Sequence, residues 1–190
     1  MSYGGAALAA AADLKASPAG SSRPVAADVL VVGGGTAGMI AAIQAARLGA
    51  RTVLVEAGSQ LGGTATTAGV DFPGLFHAWG RQIIAGIGWE LVTATVQLNS
   101  DRLPDFSVPT GPQHWRHQVR LSGALYAALA EEACLQAGVQ LRYYEFPLSL
   151  ASARDGWKAQ LAGKGPRVEV RARQVVDCTG NAAVVGLLGL

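Results

Sequence analysis

Six consecutive residues, Gly33-Gly34-Gly35-Thr36-Ala37-Gly38, form the part of this chain whose types and spacing can do chemistry. They read as Gly-x-Gly-x-x-Gly, and each glycine has a physical role. Gly33 permits a tight turn, Gly35 puts no Cβ in the way of a pyrophosphate, and Gly38 lets a helix pack closely on a strand. Thr36 and Ala37 open a helix whose first N–H groups lack intrahelical partners and carry partial positive charge, which suits phosphate. Glu56 stands 18 residues after Gly38. A carboxylate there can accept hydrogen bonds from both hydroxyls of an adenosine ribose. An acid in this place, rather than a neutral residue with a nearby Arg, disfavours a ribose 2′-phosphate. The chemistry is therefore dinucleotide binding, of FAD or NAD rather than NADP.

A glycine triplet alone is often only a turn, so the elements around it decide. Asp28–Val32 is a short aliphatic run that ends in the glycines and reads as a buried parallel strand. Thr36–Leu48 has helical spacing of Met39, Ile43 and Ala46, and Gly49 stops it. Arg51–Val55 is a second buried strand, followed by Glu56 and Ala57. Together these form a strand–helix–strand unit with a right-handed crossover. Ala57–Val70 is a Gly- and Thr-rich loop or helix start containing Gly62, Gly63 and Thr64. Gly80–Gln97 reads as a helix interrupted at Gly86 and Gly88, and Leu98–Pro112 as a proline-rich excursion. Ser122 caps an amphipathic helix over Gly123–Ala137, with Gly138 as its stop. Val139–Tyr144 is a strand. Leu148–Ala153, Trp157–Ala162 and Arg167–Ala172, separated by turn residues, read as an antiparallel meander. Gln174–Cys178 returns as a further buried strand, and a helix opens at Ala182.

Composition bounds the class without naming a partner. Half of the 190 residues are hydrophobic and 15% are charged, which is enough apolar material for a globular α/β core. A formal charge of +2, with basic residues scattered singly, argues against nucleic acid or an anionic membrane surface. No apolar stretch reaches the length of a membrane span. Residues 1–27, rich in Ala, Gly, Ser and Pro, read as a flexible leader, with Ala6–Ala12 able to form a helical turn or two, or else as an uncleaved or atypical export segment. The two cysteines, Cys134 and Cys178, are too far apart in sequence for a dithiol motif and read as small buried residues, which suits a cytoplasmic protein.

An NAD domain usually continues with alternating strands and helices, whereas here an antiparallel meander precedes the return strand. That order favours FAD. The sequence resembles the FAD-dependent oxidoreductase families of the glutathione-reductase fold type, nearest to the bacterial group known simply as FAD-dependent oxidoreductases. The matching blocks are Val29–Gly38, Glu56, Leu61-Gly62-Gly63, Gly80-Arg81-Gln82 with Gly86-Ile87, and Val176-Asp177-Cys178-Thr179-Gly180. They span Asp28–Leu190. The resemblance implies that Gly62 and Gly63, with Thr64 after them, bring backbone to the flavin pyrophosphate or ring. It also implies that Thr179 and Gly180 return the chain to the FAD-binding edge of the sheet. Two positions depart from the pattern. Asn181 stands where Asp is common, and Pro147 offers no N–H near the place where a backbone amide often meets the adenine.

Outside these blocks the candidates are few. His77 follows the glycine pair and is the candidate for a substrate-side acid or base, or for covalent flavin attachment, against the commoner reading of a packed or surface histidine. His114 and His117 form His-x-x-His without a carboxylate or cysteine nearby, so no metal is expected. Arg116 and Arg120 suit a solvated face or an acidic substrate.

The expected fold is thus a Rossmann-like parallel sheet with helices and an antiparallel β-meander crossover, the FAD/NAD(P)-binding fold. Residues 28–190 form the N-terminal part of an FAD-binding domain, with the substrate domain missing or on another chain. The expected function is FAD binding and hydride exchange between flavin N5 and a small organic substrate. The rivals are an NAD-binding dehydrogenase domain and a non-catalytic FAD-binding chain that needs a partner. The apolar run Val184, Val185, Leu187, Leu188 and Leu190 suggests a partner chain or homo-oligomer contact there.

Overall fold

The computed structural model describes residues 23–190. The first strand, β1 (Val25–Val32), is followed by α1 (Thr36–Arg47) and β2 (Thr52–Glu56). A single 3-10 turn at Gly63–Ala65 and the two-residue strands β3 (His77–Ala78) and β4 (Arg81–Gln82) lead to α2 (Ile87–Leu98). After a second 3-10 turn at His114–His117 come α3 (Gly123–Gln136), β5 (Gln140–Tyr143), β6 (Glu145–Ala153), β7 (Gly156–Gly163), β8 (Val168–Asp177) and α4 (Ala183–Leu187). Six strands form one sheet in the order β5-β2-β1-β8-β7-β6. The pairs β5–β2, β2–β1 and β1–β8 are parallel, and β8–β7 and β7–β6 are antiparallel.

Strand periodicity sorts the core into two faces. Val31 and Leu54 point to one face, where they meet Met39 and Ile43 of α1, Val92 of α2 and Tyr126 and Cys134 of α3. Leu30, Val32, Val53 and Val55 point to the other, where Leu161 of β7, Val170 of β8 and Val184 of α4 cover them. The antiparallel strands thus act as the second layer, and the sheet curls enough for β6 to approach β2. Ser122 caps α3 as its sequence indicates, accepting from the Leu125 amide at 3.5 Å.

Four expectations need correction. β1 begins at Val25 rather than Asp28, because Val25, Ala26 and Ala27 pair with Val170, Arg171 and Ala172 of β8. The expected leader therefore ends before Val25, and its first 22 residues lie outside the described part. The segment Gly80–Gly86 is not helical: Gly80 and Gly86 adopt left-handed φ values of 69° and 78°, and the helix starts only at Ile87. The third meander strand and the return strand are one strand, β8, since Arg173 supplies no turn and the chain runs straight from β7 pairing to β1 pairing. The part of β8 beyond Ala172 is also less buried than expected, because its pairing with β7 ends at Ala172.

Candidate functional site

The site forms at the carboxyl ends of β1, β2 and β8, where parallel strands leave a crevice between the chain segments that follow them. A cavity of about 670 Å³ lies there. Its lining includes Gly33, Gly35, Thr36, Ala37, Glu56, Ala57, Gly63, Thr64, Thr179 and Gly180, so the structure brings ten of the twelve expected cofactor residues to one place. Gly38 and Gly62 do not line it. Gly38 is buried in α1, and the Gly62 amide donates to the Gly34 carbonyl at 2.9 Å.

The glycines divide by what a side chain would meet. A Cβ on Gly38 would lie 1.8 Å from the Gly33 carbonyl oxygen, so this glycine serves the packing of helix against strand. Gly33 has φ of 97°, and a Cβ there would stand 2.7 Å from the Cys178 carbonyl oxygen. Gly34 is hemmed in by Leu61 and Glu56. Gly35 alone among these four has open space where its Cβ would be, and it borders the cavity. Gly33 and Gly38 are thus held small by backbone, Gly34 by side chains that can shift, and Gly35 is open toward the cavity.

Glu56 does more than its spacing suggests. One carboxylate oxygen accepts from the Gly34 amide and the other from the Gly58 amide, each at 2.6 Å. The acid therefore ties the glycine loop to the end of β2, and each oxygen keeps acceptor capacity for a ribose hydroxyl. Among the described residues no Lys or Arg lines the cavity, which leaves backbone amides and the Thr36, Thr64 and Thr179 hydroxyls as donors toward a pyrophosphate. The start of α1 can meet it, because Gly35 caps the helix without a side-chain hydrogen bond and no acidic residue sits in the first turn.

At the far wall Asp177 and Glu145 take roles not expected from the sequence. Asp177 accepts from the Thr179 amide (2.9 Å) and hydroxyl (2.6 Å) with one oxygen, and from the Val184 and Val185 amides (both 3.1 Å) with the other. Burial pushes its pKa up, but these hydrogen bonds outweigh burial and hold it below the usual carboxylate value. It fixes the turn that presents Thr179 and Gly180 and also anchors α4. The signal was present as an acid two residues before a Thr, the pattern of a side chain that bonds backbone just ahead of it. Glu145 and Phe146 also line the cavity, with Pro147 and Asn181. Glu145 is held by a two-pronged pair with Arg142, at 2.6 and 2.7 Å. That contact depends on the left-handed turn at Tyr144 and could not be read from spacing.

His77 lies elsewhere. It lines a second cavity, of about 520 Å³, together with His114 and His117, and that lining shares no residue with the first. Cys134 is fully buried, and burial pushes its thiol up to about 12. Val184 is buried, while Val185, Leu187, Leu188 and Leu190 are exposed. Among the described residues no helix is long and apolar enough to cross a membrane.

A parallel sheet with a glycine-rich turn, an uncapped helix start and an acid at the end of β2 defines a dinucleotide-binding protein of the Rossmann type. The antiparallel strands between β5 and α4 narrow the class. The chain belongs to the FAD dependent oxidoreductase family, whose sequence profile it matches over residues 28–190. A stretch of 49 residues is 49% identical to mitochondrial dihydrolipoyl dehydrogenase of Rattus norvegicus, covering 26% of this chain and 10% of that protein. The fold is similar to the flavin-dependent monooxygenase PieE, solved in complex with FAD and substrate: TM-score 0.63, 19% identity, 88% of this chain and 33% of that one. It is also similar to the OxyS anhydrotetracycline hydroxylase from Streptomyces rimosus: TM-score 0.60, 21% identity, 87% of this chain and 34% of that one. The chain therefore spans about a third of the length of these solved relatives. The family's cofactor is FAD, and the open Gly35, the uncapped α1 and the two spare acceptor positions of Glu56 fit its pyrophosphate and ribose.

Proposed function

We propose that this chain is the FAD-binding portion of an oxidoreductase that exchanges a hydride between flavin N5 and a small organic substrate. The observation that carries the reading is Gly35, whose Cβ position is empty space at the edge of the cavity while its neighbours Gly33, Gly34 and Gly38 are closely packed. A residue kept small toward a crevice, and not toward the protein, is what a closely approaching phosphate requires.

The isoalloxazine ring of bound FAD supplies the hydride chemistry. The chain's own residues bind and orient. The amides that open α1, from Thr36 and Ala37 onward, donate to the pyrophosphate. Glu56 accepts from the adenosine ribose while holding the Gly34 and Gly58 amides. Gly63 and Thr64 face the same cavity from one side, and Thr179 and Gly180 from the other, the latter held in place by Asp177. His77 receives no role in this reading, because it lines a different cavity. The test is an absorption spectrum of the purified chain after incubation with FAD and removal of free cofactor. Bound flavin bands in near-stoichiometric amount are expected. Tight NAD binding without any retained flavin would contradict the proposal.

A further inference from the structure

We propose that Glu145 sets the base specificity of the cofactor site: its carboxylate accepts from the exocyclic amino group of adenine, so that a base with a carbonyl in that place is rejected. The inference rests on the FAD-binding reading above and adds recognition of the base to it.

The fold places Glu145 where the base must go. In that reading the pyrophosphate lies at the start of α1, above the end of β1, and the adenosine ribose lies at Glu56, at the end of the neighbouring strand β2. The base continues in the same direction, away from β1. The next backbone on that side is the turn from β5 into β6. Glu56 lies beside Tyr143 in the β2–β5 register. The Gly58 amide donates to Glu56, and the Gly58 carbonyl accepts from the Tyr144 amide at 3.1 Å. Glu145 follows directly and lines the cavity with Phe146 and Pro147. A base attached to a ribose at Glu56 therefore meets these three residues.

The wall that β6 forms with the end of β2 is built to accept hydrogen bonds. Its side chains are those of Val55, Ala57, Glu145, Phe146 and Pro147, and with Glu145 ionised none of them carries a donor. Pro147 has no backbone N–H, and Phe146 is paired with Ala162 of β7. The Glu145 carboxylate is fixed by Arg142, whose Nε and Nη2 donate to it at 2.6 and 2.7 Å, while Arg142 itself does not line the cavity. A carboxylate has about four acceptor positions, so this pair leaves one on each oxygen. The Glu145 side chain keeps 18% of its surface accessible, and the half-exposed Phe146 beside it offers apolar area to a flat ring. The amino group of adenine donates two hydrogens and matches such a wall. A 6-oxo base turns a lone pair toward the fixed carboxylate instead, which loses the hydrogen bond and adds repulsion.

The probe is FAD whose adenine has been deaminated to hypoxanthine, which keeps the isoalloxazine, pyrophosphate and ribose. Both cofactors are equilibrated with the full chain by dialysis and read by their common flavin absorption. The chain should bind FAD roughly ten-fold more tightly than the deaminated cofactor, or better. Glu145→Gln brings an amide N–H to the 6-oxo group, and the preference should fall below about three-fold. Circular dichroism of the apo variant reports separately what loss of the charged pair with Arg142 does to the fold. The wild-type comparison needs no variant, so it decides the matter even if Glu145→Gln does not fold. Equal affinity for the two cofactors, tighter binding of the deaminated one, or a Glu145→Gln chain that keeps the full preference would each overturn the proposal. Binding of neither cofactor would contradict the FAD-binding reading itself and take the inference with it, whereas FAD binding without preference removes only the role of Glu145.

Discussion

Replacing Gly35 with Val separates what the protein needs from what its cofactor needs. Gly35 has φ of −64° and ψ of −178°, an extended conformation open to any residue, and its Cβ would touch nothing within 4 Å. The apo protein therefore accommodates the side chain. Loss of a favourable N-cap glycine and gain from a less flexible unfolded chain nearly cancel, which leaves stability within about 1 kcal/mol. For a chain of this size that is a shift in melting temperature of roughly 2–4 °C. In the cavity, the branched side chain takes the space a pyrophosphate must fill. Overpacking against a fixed group costs roughly 1–3 kcal/mol or more, so FAD affinity falls by about ten-fold to beyond a hundred-fold. Circular dichroism of the apo chain gives the first quantity and flavin fluorescence titration the second. A variant that melts normally and binds FAD as well as the wild type would refute the reasoning, and so would one that simply unfolds.

The other glycine and acid positions give different patterns. Gly38→Ala forces a Cβ toward the Gly33 carbonyl and should cost roughly 3 kcal/mol in the apo protein, visible in denaturant unfolding without any FAD. Glu56→Gln should lower both properties. An amide cannot accept from the Gly34 and Gly58 N–H groups at once, so stability falls by about 1.5–3 kcal/mol, and FAD affinity falls through the lost charged bonds to ribose, by a further ~1–3 kcal/mol. A Glu56→Gln chain with an unchanged apo melting temperature would show that the carboxylate does not hold the loop. Asp177, held below the ordinary carboxylate value, stabilises the fold at pH above its unfolded value, near 3.8, and that contribution is lost as pH falls through the lower folded value. Acid unfolding monitored in wild type and Asp177→Asn should converge at the lowest pH and diverge near neutrality. Burial pushes the Cys134 thiol up to about 12, so the native chain should leave Cys134 unlabelled by a maleimide at neutral pH until denaturant is added.

The strand–helix–strand unit around the glycines is legible in residue order, because that unit is local. Gly33 to Gly38 impose a turn and a helix start over adjacent residues, and the aliphatic runs on either side have only one way to bury themselves in parallel strands. The same holds for α3, whose cap at Ser122 and stop at Gly138 lie within its own turns. Other features depend on partners distant in sequence. Val25 to Ala27 looks like leader until β8 offers it a pairing edge, and β8 looks like two strands until β7 and β1 are seen to share it. The Glu56 carboxylate acquires its second role only because the fold brings the Gly34 amide, 22 residues away, to within 2.6 Å. His77 follows Gly62 and Gly63 in sequence, which suggests a place near the flavin. Stacking on Phe106 and contact with Trp89 hold it in the other cavity instead, and aromatic packing of that kind leaves no trace in residue spacing.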